Sequence, residues 1–210
     1  MASLRAFWQS LLAMKRKSSA QPLPGPASDA EALFSATCAG DLNDVMRLLN
    51  NGVSPTVCDE KGWTPLHVAA VWNQVHLIEP LVLAGADMEA KTPSHREFNL
   101  FPGCTALHCT VEWDALDAAH ELIRCGANID ARNALGETPL RLAVETSGTY
   151  HLVSPLLAKF FIEAGADINV YDSGGYTIFN EASKAIDLAP GHFASQEIIA
   201  MLQERKAWMW

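Results

Sequence analysis

The stretch "TPLHVAA", residues 64–70, constrains this chain most, because it recurs. "TALHCTV" begins at Thr105, "TPLRLAV" at Thr138 and a weaker "TIFNEAS" at Thr177, so the threonines stand 41, 33 and 39 residues apart. The local chemistry of the first copy predicts a helix start. Thr64 suits the N-cap, where its hydroxyl can accept from an orphan amide of the first turn. Pro65 then falls at N1, where a missing N–H costs nothing. His67, three residues after the cap, is in range to bond back to it as the polar partner of a capping box does. A second signal runs in phase with the first: Gly52, Gly85, Gly126 and Gly165 are 33, 41 and 39 residues apart and each follows an apolar pattern. Such a glycine suits the left-handed position that ends a helix. One unit is therefore a turn, a short helix, a second helix and a glycine stop.

Two motifs in register over several copies, with a period near 33, make the chain resemble the ankyrin-repeat family over about residues 29–206. The resemblance implies an all-α fold: helix pairs stacked into a solenoid, with β-hairpin-like fingers projecting between repeats. Five repeats are expected, near 29–58, 59–91, 100–132, 133–171 and 172–206, the first and last being degenerate caps, with 207–210 as a C-terminal tail. Thr64, His67, Thr105, His108 and Thr138 are then structural turn residues. Repeat 4 carries Arg141 where the histidine belongs, so its turn must be held differently.

Composition agrees with a folded domain: 210 residues, 49% hydrophobic and 19% charged, without an 18-residue apolar run of the kind that spans a membrane. The five cysteines are an odd number without a disulfide-framework spacing, which favours reduced thiols and a cytoplasmic location. Cys104, His108 and Cys109 could share a helix face, but they occupy ordinary motif positions with no second ligand pair, so no metal and no cofactor are expected. No phosphate-cradling glycine loop, nucleophile elbow or zinc helix is present, and "DSGGYT" at 172–177 has no lysine after it. The expectation is a non-enzymatic, monomeric protein-binding module that inhibits or regulates its partner. The contrasting class is an enzyme with an unrecognised site.

Charge is unevenly spread. Residues 1–28 hold Arg5, Lys15, Arg16 and Lys17 and no acid, so of the total of −9 the remainder carries −13. That acidity argues against nucleic acid as a partner and favours a protein with a basic or amphipathic surface. Solubility alone would also account for it. Within 1–28, "SSAQPLPGPAS" reads as a linker. Before it, Leu4, Phe7, Trp8, Leu11, Leu12 and Met14 share one face at helical spacing, giving a short amphipathic helix. Docking on a partner or on the solenoid is one reading of it. An anionic membrane surface reached through 1–17, organelle targeting and secretion are the others.

Two features point to a binding surface. Repeats 2 and 3 are separated by eight extra residues, placed in the finger "KTPSHREFNLFPG", where Phe98 and Phe101 either meet a partner or pack the loop down. Six extra residues fall in "ETSGTYHLVSP", between the two helices of repeat 4. The resemblance also implies that the end of each first helix turns to the concave side. Those positions hold Trp72, Glu112 with Trp113, and Glu145, while Trp63, Glu137 and Tyr176 stand at the finger bases. Aromatics flanked by carboxylates suit a binding hot spot for a basic partner. The alternative is that the tryptophans lie between repeats as core.

Overall fold

The structure, a computed structural model, describes residues 29–59, 62–93, 102–144, 154–171, 173–175, 177–178 and 193–207. The amphipathic segment and linker of 1–28, the finger tip with Phe98 and Phe101, Glu145, Tyr176 and the end of the tail lie outside the described residues.

Helices come in pairs: α1 (Asp29–Ala39) with α2 (Leu42–Asn50), α3 (Pro65–Val71) with α4 (Val75–Leu83), α5 (Ala106–Glu112) with α6 (Leu116–Arg124), and α7 (Pro139–Val144) with α8 (Pro155–Ala164). A last helix, α9 (Phe193–Ala207), packs on α8 and runs one residue past the expected end of the fifth repeat. The first helices α1, α3, α5 and α7 pack on one another in one layer, and α2, α4, α6 and α8 form the second. Among the described residues, β structure is one isolated antiparallel bridge, Tyr171 with Thr177.

The first helices are short and buried almost all round; every residue of α3 and of α7 is buried. Their small residues, such as Ala69, Ala70, Cys109, Thr110 and Ala143, allow close approach. The second layer fills its core with bulkier Leu77, Ile78, Leu81, Leu122 and Phe161. Among the described residues α1 is the first helix of the stack, and it presents Glu31, Ser35 and Ala39 to solvent, four residues apart.

The stop glycines behave as their spacing suggests. Gly52, Gly85, Gly126 and Gly165 have φ of 88°, 98°, 100° and 101°. The amide after each returns to a carbonyl five residues back, as in Val53 to Leu48 at 3.1 Å and Ala127 to Leu122 at 3.0 Å.

Both insertions are bracketed by bonds that recur elsewhere. Finger bases close from Asp59 N–H to the Trp63 carbonyl and from Asn133 N–H to that of Glu137, both at 2.9 Å; in the long finger Thr92 N–H reaches Cys104 at 2.8 Å. The eight extra residues therefore lie between Thr92 and Cys104. Between paired helices, Asp41, Gln74 and Ala115 each donate to a carbonyl five residues back, whereas Ser154 donates to Ala143. The six extra residues fall in that gap.

Candidate functional site

The motif histidines form the joints between repeats. His67 Nδ1 lies 2.8 Å from Thr64 Oγ1 and 3.3 Å from Thr64 N, and Nε2 lies 3.2 Å from the carbonyl of Cys104 in the next repeat. His108 repeats this with Thr105 at 2.9 and 3.3 Å and with the Glu137 carbonyl at 3.0 Å. A carbonyl only accepts, so Nε2 carries the proton in both rings and Nδ1 accepts from the threonine. Burial in an apolar surround outweighs the neighbouring backbone acceptors and pulls both histidines down to about 4. They are neutral struts, with both nitrogens of His108 engaged. The neighbouring thiols of Cys104 and Cys109 are pushed up by burial, and the described residues hold no group of three metal-ligating side chains. In repeat 4 the buried Arg141 takes the histidine's place, its backbone N–H donating to Thr138 Oγ1 at 3.3 Å.

This geometry corrects two of the expected partner contacts. Trp63 is 5% exposed and belongs to the core, its ring edge-on to His67 at 5.9 Å. Its amide donates to Asp59 Oδ1 at 2.8 Å. Glu137 is 6% exposed; its carboxylate accepts from Asn133 Nδ2 and its amide donates to Asn133 Oδ1, each at 2.9 Å. The position before the motif threonine must close its own finger and, in repeats 3 and 4, also receive the histidine of the repeat before. Both side chains are turned inward, away from any partner.

The ends of the first helices are different. Trp72 and Trp113 each follow the last residue of α3 and α5 as C-caps, half-buried and packed against the core with one side left to solvent. The Trp113 indole N–H is buried without an acceptor among the described residues. Glu112, half-buried, stands beside Trp113. Trp72, Glu112 and Trp113 therefore share one layer of the stack, while Phe101, Glu145 and Tyr176 lie outside the described residues.

Sequence reasoning missed the residues that follow these tryptophans. Gly40, Asn73 and Asp114 hold one register position with φ of 71°, 51° and 53°. Each bonds to a second helix further along the stack. Gly40 O accepts from His76 Nε2 at 3.0 Å, and Asn73 Oδ1 accepts from Ala118 N–H at 2.8 Å. Asp114 accepts from the hydroxyl of Ser154, which in turn caps α8. A Gly-Asn-Asp series at constant register was the available signal, since these are the types that tolerate left-handed backbone.

Comparison with known proteins gives a consistent picture. A family model described as ankyrin repeats (3 copies) matches residues 9–92, and one for a single ankyrin repeat matches 102–134. The chain is 36% identical over 66 residues to palmitoyltransferase AKR1 of Saccharomyces cerevisiae, covering 31% of this chain and 9% of that protein. It is 32% identical over 59 residues to the ankyrin repeat-containing protein P1E11.10 of Schizosaccharomyces pombe, covering 28% of each. Over 62 residues it is 37% identical to the mitochondrial disaggregase of Bos taurus, covering 30% of this chain and 9% of that protein. The chain thus matches less than a third of the length of these curated relatives.

Proposed function

The chain belongs to the ankyrin-repeat family, a family of protein-interaction modules, and from that premise we propose that it binds one protein partner through the concave face of repeats 2–4. The partner is regulated or inhibited by being covered, and no chemistry is done on it. The observation that carries the reading is the contrast between two register positions. The finger-base residues Trp63 and Glu137 are closed off, whereas Trp72 and Trp113 keep a solvent-facing side on adjacent first helices, with Glu112 between them in sequence. A broad aromatic held in place by core packing loses little entropy on binding, and a carboxylate beside it favours a basic or amphipathic partner. The net −13 of residues 29–210 favours the same class. Monomeric, cytoplasmic residence is part of this reading, and the five free thiols suit a reducing compartment.

Affinity capture from the native cell, repeated with Trp113→Ala, tests it. Loss of a buried interface tryptophan costs about 2 kcal/mol or more, so the captured partner should bind at least about tenfold more weakly. Glu112→Lys should mainly slow association, with the loss shrinking at high salt. Unchanged affinity in a folded Trp113→Ala protein would move the site elsewhere.

A further inference from the structure

We propose that the N-terminal segment 1–14 docks on the outer, second-helix face of the first two repeats, over Leu42, Met46 and Leu83. The exposed side of the second helices is polar at the next joint: Glu79 and Arg124 pair across repeats 2 and 3 at 2.8 Å. Moving back by the repeat spacings of 33 and 41 residues places Met46 and Leu83 where Glu79 and Arg124 stand. An ion pair in one joint is thus two apolar side chains in the joint before it. Leu83 is 82% exposed and Met46 39%, and Leu42, one turn ahead of Met46 on the same helix face, is 38% exposed. Two large apolar side chains left in water where the next joint places charges, with Leu42 extending the patch, imply a cover.

The chain supplies a fitting cover. Residues 1–14 carry Leu4, Phe7, Trp8, Leu11, Leu12 and Met14 on one helical face. They bring Arg5 and are followed directly by Lys15, Arg16 and Lys17, with no acid. Exposed carboxylates stand close by in sequence, Asp41 next to Leu42 and Glu79 one turn ahead of Leu83, the latter shared with Arg124, while Asp44 is paired with Arg47 at 2.9 Å. A second copy of the repeat domain would set one acidic surface against another, whereas this segment brings the opposite charge. Reach is not limiting. Fourteen residues separate Met14 from Asp29, enough for about 45 Å of extended chain, while α1 and α2 are only about 16 and 13 Å long.

Photo-crosslinking of the full chain tests the docking. With p-benzoylphenylalanine placed at Phe7, crosslinks mapped by mass spectrometry should join residue 7 to peptides holding 42–50 and 75–83 within one molecule. Leu83→Glu should cut the yield at least about tenfold, the loss expected when a leucine-sized apolar contact is removed. The side chain is exposed enough for the fold, checked by circular dichroism, to tolerate the change. Leu156→Glu, on the distant α8 and also exposed, should leave the yield unchanged. Crosslinks between two chains would overturn the proposal. So would crosslinks formed only to lipid when phosphatidylserine vesicles are present, crosslinks mapped elsewhere on the stack, or a yield indifferent to Leu83→Glu.

Discussion

The joints between repeats 2 and 3 and between 3 and 4 are built on a neutral histidine, whereas repeat 4 carries Arg141 in that place. An imidazole of fixed tautomer suits the first arrangement, since one nitrogen accepts from its own threonine while the other donates to the next repeat. A guanidinium has no acceptor and cannot perform both roles. In repeat 4 the backbone amide of Arg141 donates to the Thr138 hydroxyl, as that of His67 does to Thr64, but the ring acceptor that repeats 2 and 3 add is absent from an arginine.

Acid should break this contrast most severely. Both histidines are held at about 4 in the fold, below the ordinary 6.5, so the unfolded chain takes up protons first as pH falls. Their contribution is complete above about pH 6.5 and is lost as pH drops toward 4, amounting to roughly 3 kcal/mol per histidine. Urea titrations at pH 7 and pH 4.5 should differ by several kcal/mol. A flat profile would mean that the rings are not held neutral.

Next in size is His108→Ala, which strips the Thr105 amide and hydroxyl and the Glu137 carbonyl of a partner and opens a cavity. A loss of about 2–4 kcal/mol is expected, with a shallower pH dependence than the parent protein. If His108→Ala lowers stability but keeps the full acid sensitivity, the titration belongs to other groups. Asn73→Ala should cost less, about 1–2 kcal/mol, through loss of the Ala118 cap and placement of a Cβ-branching-free but non-glycine residue at φ 51° without a side-chain bond. Asn73→Gly should recover part of that loss, because it restores backbone freedom without the cap. Arg124→Ala should matter least. Arg124 and Glu79 are more than half exposed and only Glu121 is partly covered, so little or no change in melting temperature is expected.

Much of the fold was legible because its signals act over three to five residues. The threonine cap, the histidine three residues on, the glycine stop and their common period need no knowledge of what lies next to them in space, and they were sufficient to recognise the repeat and to assign the four helix pairs that the described residues contain. The lengths of both insertions followed from the same spacing. The binding surface was less legible. Trp63 and Trp72 are the same residue type nine positions apart, yet one is core and the other retains an exposed side. Glu137 read as a surface carboxylate until Asn133 and the incoming His108 accounted for its environment.

What the amino-acid sequence determined by itself is therefore the repeat unit, its internal turns and its helix ends, all of which rest on local hydrogen bonds and backbone preferences. Only the tertiary structure decided which residues join one repeat to the next: His67 to Cys104, Asn73 to Ala118, Glu89 to the Asn128 amide at 3.1 Å and Asp130 to that of Asp167 at 2.9 Å. Those partners lie 37 to 45 residues apart, and their meeting depends on the rise and rotation of the stack. Whether an aromatic is buried or presented depends on the same geometry, because a neighbouring repeat either covers that side of the ring or leaves it to water.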